Sequence, residues 1–207
     1  MKQAFPSITR IIGACGAVLF LSMWLLVGSI TGQAADLSLH HALLFGSDAP
    51  RLLNLLRFVT TLGGFAFLSI LGLSSFALLL ALRRTDTAIL LLAILAGGRL
   101  LALVIKMLIA RARPELGDHL VAVHSLSFPS EHAFNSIVTY GLLALLSGSR
   151  AAYLAAFVLT LLIGVSRILL GVHWPTDVVA GWSLGMAWLS LCWGLRSSGL
   201  HHRAADK

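Results

Sequence analysis

Charge is what this 207-residue chain has least of: Lys, Arg, Asp and Glu together make up 11% of it, against about a quarter of a soluble domain. A solvated surface of ordinary size is thereby excluded, and with it the soluble globular class. Cysteine is scarce too, with Cys15 and Cys192 the only two. Both fall in apolar stretches, and no disulfide framework can be drawn from them. Acidic residues number eight against 15 basic ones, giving a net charge of +7 and a pI near 10.5. In a soluble protein that balance would suggest nucleic acid; here the basic residues sort by topology instead, and no nucleic-acid partner is expected.

What the chain has is apolar length. Hydrophobic residues make up 58% of it. Uncharged runs cover Ile11–Ala35, Phe58–Leu82, Ala133–Ser149, Ala151–Ser166 and Val178–Leu195, and Thr87–Ala110 adds a sixth interrupted by Arg99 and Lys106. About 20 residues span a bilayer, so the expected fold is all-α and polytopic: six transmembrane helices in one membrane domain over residues 1–207. The first 35 residues read as a retained membrane helix, because the apolar run is long for a signal peptide. The helices are expected over Ile11–Ile30, Thr60–Leu82, from Thr87 onward, from the Ser127–Glu131 region, over Ala151–Leu170 and over Trp174–Arg196. Pro50–Val59, with leucines set against Arg51 and Arg57, reads as an interfacial amphipathic helix.

Lys2, Arg10, Arg83, Arg84, Arg150, Arg196, Arg203 and Lys207 lie at the termini and in alternate loops. The positive-inside rule puts these in the cytoplasm, with both termini. Arg51, Arg57, Lys106, Arg111, Arg113 and Arg167 then fall outside, too many for orientation signals, and read as a cationic site. Arg99, Lys106 and Arg113 recur every seven residues, on nearly one face for as long as a helix continues. Ionisable residues inside a membrane segment are functional by default.

His173 and Asp177 are four apart at the start of the last helix, with Pro175 in its first turn, so one face carries both side chains. The carboxylate can hold one imidazole nitrogen and leave the other basic, as a nucleophile or general base requires. Ser127 or Ser130 can cap the fourth helix, putting Glu131 and His132 in its first turn, where free N–H groups favour an anion. Gly181 and Gly185 permit close packing of the last helix. Asp118, His119 and His124 match no compact metal-ligand spacing.

Lys106 with Arg113 and Pro114, Pro129-Ser130-Glu131-His132, and Ser166-Arg167 with His173 and Asp177 together resemble the three motifs of the type 2 phosphatidic acid phosphatase (PAP2) superfamily, K-x6-R-P, P-S-G-H and S-R-x5-H-x3-D. The resemblance implies a metal-independent phosphatase without cofactor, in a bacterial inner membrane, acting on the non-cytoplasmic face. It implies that His173, oriented by Asp177, attacks phosphorus to give a phosphohistidine. His132 would serve as acid and then base, and Lys106, Arg113, Ser130, Glu131 and Arg167 would make up the phosphate-binding group. Glu131 departs from the family pattern, which has Gly there. An acidic residue at that place resembles the variant in some members acting on undecaprenyl diphosphate, the first substrate expected; phosphatidylglycerophosphate or phosphatidic acid is the alternative. A non-enzymatic lipid-phosphate binding or transport protein would need a damaged centre, and only Glu131 is unusual. If Glu131 turns from the phosphate, Arg111 or Arg113 is its expected partner.

Overall fold

The computed structural model describes the backbone over residues 4–43, 50–114, 121 and 125–205, and within these the side chains from residue 8 to residue 196. It is all-helical among those residues. The helices are α1 (Ala4–Val27), α2 (Ile30–Leu43), α3 (Pro50–Thr61), α4 (Phe65–Ala81), α5 (Thr85–Ile109), α6 (Glu131–Ser147), α7 (Arg150–Leu169) and α8 (Pro175–Ala205). Within α1, α5, α7 and α8 there are stretches long and apolar enough to cross a membrane, and α3 with α4 makes a fifth if their 42° bend lies within one span. The expected count of six is therefore not reproduced: α6, at 17 residues, is a turn short of a full crossing. Leucine, isoleucine and phenylalanine side chains stand exposed on α1, α4, α5 and α7, as lipid-facing surfaces do. The chain is an integral membrane protein.

Two expected boundaries shift, each for a local reason. α1 ends at Val27 rather than Ile30 because Gly28 and Ser29 turn the chain, and the Ser29 hydroxyl accepts the Gly32 N–H at 3.0 Å, starting α2. The helix expected over Thr60–Leu82 is broken at Leu62–Gly64, where Gly63 lies so close to α7 that a Cβ would meet the Ile163 side chain at 2.4 Å. α5 stops at Ile109: Ala110 takes the left-handed conformation (φ 48°), and its N–H closes on the Lys106 carbonyl. The helical face therefore ends with Arg99 and Lys106, and Arg113 reaches the same region from the loop.

The core lies where α5, α6 and α8 meet, around Leu91, Ile94, Phe134, Val138, Leu142 and Leu184. α8 packs closely on α6 through Gly181 and Gly185, where added Cβ atoms would meet the Ser130 carbonyl at 2.5 Å and Ile137 at 2.9 Å. That approach brings the N-termini of α6 and α8 side by side, and the Ser130 N–H donates to the Asp177 carbonyl at 3.0 Å. α3 rests on α7, adding Thr60 to the same end. At the other end Arg83, Arg84 and Arg196 gather around Thr87 and Trp193.

Candidate active site

The motif residues gather at one polar end of the bundle, Arg113 and Pro114 from the loop after α5 and the others at or beside helix ends. Lys106 is in the last turn of α5, Ser130 is the N-cap residue of α6, and Glu131 and His132 begin that helix. Arg167 lies in the last turn of α7, His173 in the turn before α8 and Asp177 in its first turn. α6 and α8 bring their N-termini here, where backbone N–H groups are free to meet an anion, while α5 and α7 bring their last turns and with them Lys106 and Arg167.

His173 is buried, with its two nitrogens in different surroundings. Nδ1 faces Ser127 Oγ at 3.4 Å and Asp177 Oδ2 at 3.5 Å, while Nε2 faces Arg113 Nη1 at 3.2 Å. A guanidinium can only donate, so Nε2 carries the lone pair and Nδ1 the proton. Burial, reinforced by Arg167, Arg113 and Lys106, holds this imidazole well below its ordinary value of 6.5. It is neutral near pH 7, as a nitrogen nucleophile must be. Arg113 also donates to the Ser125 carbonyl at 2.6 Å, to Ser125 Oγ at 3.1 Å and to the Val172 carbonyl. Its own value is lowered, first by burial.

Asp177 is held more firmly by others than by His173. Its Oδ1 accepts from Arg111 Nη1 at 2.6 Å; Oδ2 accepts from the Ser127 hydroxyl and from the Trp174 N–H at 3.0 Å. The other arm of Arg111 reaches Asp36 on α2 at 2.7 Å. Asp36 also accepts from the Thr176 N–H at 3.0 Å and from its hydroxyl. The result is a buried Asp36–Arg111–Asp177 array clamping α2 and the loop after α5 to the start of α8. Ser127 and Asp36 were not assigned to the site from sequence, and Arg111 was counted only among its cations, without this pairing. Two of them carried a signal: Asp36 is one of only eight acidic residues in the chain, and Arg111 one of the outward cations.

The phosphate-binding candidates are less completely paired. Arg167 Nη1 donates to Thr60 Oγ1 at 2.8 Å, but its buried Nε has no hydrogen-bond partner. The buried Ser130 hydroxyl has none either. Ser130 holds the N-cap position without capping through its side chain, and Ser127, the alternative cap, serves Asp177 instead. Lys106 donates to Ser125 Oγ at 3.5 Å and pairs with Glu131 at 3.2 Å. This corrects the expected partner of Glu131, which is neither Arg111 nor Arg113. His132 lies within electrostatic reach of Arg167, His173, Arg113 and Lys106, and its ring edge rests against the backbone at Gly63. Arg51 and Arg57 are exposed on α3. Asp118, His119 and His124 lie outside the described residues.

Orphaned donors, three cations and a neutral buried imidazole around helix N-termini suit an oxyanion carrying more than one charge. The class so defined is a membrane-embedded phosphatase. A family model described as the PAP2 superfamily matches residues 87–198. Phosphatidylglycerophosphatase B of Bacillus subtilis (strain 168) is 34% identical over 180 residues, which take in 81% of this chain and 88% of that protein. Undecaprenyl-diphosphatase of Sulfolobus acidocaldarius is 43% identical over 65 residues, 31% of this chain and 30% of that one. Among solved structures, a transmembrane PAP2-type phosphatidylglycerolphosphate phosphatase from Bacillus subtilis superposes with a TM-score of 0.82 at 31% identity, covering 90% of this chain and 96% of that one. This chain belongs to the PAP2 superfamily, and it is a membrane lipid phosphatase.

Proposed function

We propose that the chain removes the terminal phosphate of a membrane lipid through a phosphohistidine on His173 Nε2. The observation that carries this is the asymmetry of His173: Nδ1 is turned to Ser127 and Asp177, and Nε2 to the cationic side at Arg113. A phosphate oxygen that takes over the Arg113 contact brings phosphorus to Nε2. The N–P bond forms as the P–O bond to the lipid breaks, and His132 gives its proton to the departing oxygen. Positive charge on His173 is stabilised through Nδ1–H by Asp177. His132 then takes a proton from water, water attacks phosphorus, and the N–P bond breaks to release phosphate and restore His173. Arg113, Arg167, Lys106, the Ser130 hydroxyl and the α6 N–H groups stabilise the equatorial oxygens in both steps. Glu131, paired with Lys106, tunes the local charge.

The lipid favoured is phosphatidylglycerophosphate, because the relative bearing that name aligns with most of both chains. Undecaprenyl diphosphate is a second reading, supported by Glu131 and by the shorter alignment with an undecaprenyl-diphosphatase. The bundle end opposite the site bears Arg83, Arg84 and Arg196, which orients the site outward under the positive-inside rule. Phosphate release by purified protein from phosphatidylglycerophosphate, phosphatidic acid and undecaprenyl diphosphate tests the reading. Release from at least one, abolished in His173→Ala, is expected; no release from any of the three would overturn it.

A further inference from the structure

Arg99 is a charged residue inside the helical bundle that the chemistry above does not use. It lies two turns before Lys106 on α5, about 10 Å deeper along the axis, in a segment apolar enough to cross the bilayer. Its guanidinium stacks 3.6 Å from the centre of the Phe65 ring, and Nη1 donates to Ser69 Oγ at 3.1 Å. Both contacts are neutral. Among the described residues no carboxylate lies within ion-pairing distance of it, and Glu131, the acidic group that acts on it electrostatically, is paired with Lys106. An arginine at this depth without a counter-ion needs an anionic occupant more than a structural explanation.

The surroundings are shaped to admit one. Arg99 lines a cavity of about 240 Å³ between α4, α5 and α6, together with Ser69, Asn135 and Thr139 and with leucines including Leu73 and Leu92. Those two leucines are exposed, so the cavity opens sideways to the bilayer, where a lipid tail lies. Its upper end adjoins the reacting centre by two routes. Asn135 is one helical turn below Glu131, and Phe65 follows Gly64, at which a Cβ would stand 3.8 Å from His132 Nε2. A lipid with its terminal phosphate at His173 and its tail in this cavity must pass its headgroup linkage by Arg99 and Asn135.

We propose that Arg99, with Asn135 and Ser69, forms a second anion subsite that holds the inner phosphate of a lipid carrying two. This rests on the lipid-phosphatase reading and deepens it. An inner phosphate one bridging oxygen away, as in a polyprenyl diphosphate, and one across a glycerol, as in phosphatidylglycerophosphate, present the same charged oxygens. Phosphatidic acid, with a single phosphate, has nothing for Arg99 to bind. Substrates in these two otherwise unlike groups are thereby united, and separated from simple phosphatidates.

The test compares kcat/KM of full-length wild type, Arg99→Gln and Arg99→Lys in detergent micelles on undecaprenyl diphosphate, phosphatidylglycerophosphate and phosphatidic acid. Arg99→Gln should lose about 10- to 100-fold on two-phosphate lipids, the range for a charged hydrogen bond, and stay within about two-fold on phosphatidic acid. Arg99→Lys should recover part of the loss. Selective loss with undecaprenyl diphosphate alone assigns the subsite to an anhydride; loss with phosphatidylglycerophosphate alone assigns it to a phosphodiester. An equal loss on all three lipids, or none on any, would overturn the subsite while leaving the phosphatase reading standing. If Arg99→Gln does not elute as a folded species, Asn135→Ala should show the same selectivity in weaker form, and its absence there counts equally against the proposal. Wild type inactive on all three would overturn both readings.

Discussion

Arg111 and Arg167 are both guanidinium groups at the polar end of the bundle, yet their surroundings differ in kind. Arg111 is bracketed by two buried carboxylates, Asp36 at 2.7 Å and Asp177 at 2.6 Å. Arg167 is buried with one hydroxyl partner, an Nε that meets nothing, and Arg113 close enough to repel it. A charge that is fully paired fastens parts of the chain together. A charge left unpaired is held ready for a ligand, at a cost to the folded state that the rest of the bundle offsets. The cationic end is therefore two layers, a paired clamp behind His173 and, in front of it, the incompletely paired groups proposed above as the phosphate receptor.

The largest effect that would break this comparison lies at the residue between the layers. His173→Ala should lower turnover by about four orders of magnitude or more, since nucleophile and base act as a unit, with little change in melting temperature; near-wild-type rates would remove His173 from its role. Next come the two arginines. Arg167→Gln should reduce kcat by about 10²- to 10³-fold, as loss of a transition-state donor does, with Tm unchanged or raised. Arg111→Met should instead destabilise the fold by about 3–5 kcal/mol, because it leaves two carboxylates buried and unpaired. Thermal unfolding in detergent alongside steady-state rates distinguishes the two, and equal destabilisation by both would erase the distinction between clamp and receptor.

Activity should also persist in excess EDTA, since Lys106, Arg113 and Arg167 already supply the charge a divalent ion would; loss restored only by a metal would contradict that. The smallest effect is a pH dependence of stability. The native His173 resists a proton that the unfolded imidazole takes up near its ordinary value of 6.5. The unfolded state binds more protons below that pH, so stability falls as pH drops. Between pH 7.5 and 5.5 the decline in Tm should be shallower in His173→Gln than in wild type.

How much of this was legible in the chain follows from the same distinction. The receptor layer, Lys106, Arg113, Ser130, Glu131, His132 and Arg167, is carried by residues in short motifs, and helix ends bring them together as the spacing required. The clamp was not legible, because Asp36 and Thr176 are 140 positions apart and meet only once α2 folds back on the start of α8. Glu131 was read with the wrong partner for a related reason. Arg111 and Arg113 were the expected partners, but Arg111 is taken by Asp36 and Asp177 and Arg113 by Ser125, Val172 and His173, which leaves Lys106 as the cation beside α6. The helix count is not reproduced where helices are short or broken beside His132: α6 starts only at Glu131, and α4 starts only at Phe65, after Gly63 passes close to Ile163 and His132.

The central claim is a covalent intermediate on His173 Nε2, and it can be observed directly. In His132→Ala, a diphosphate lipid can still transfer its terminal phosphoryl group, because its leaving group needs little protonation, whereas water lacks the base that would clear the enzyme. Brief reaction of this variant with undecaprenyl diphosphate carrying ³²P in its terminal phosphate, quenched in alkali to preserve phosphohistidine and followed by peptide mapping, should place the label on the peptide containing His173. The label should be absent from the double variant with His173→Ala. Label on any other residue, or product formed by His132→Ala with no labelled protein at any quench time, would contradict the account.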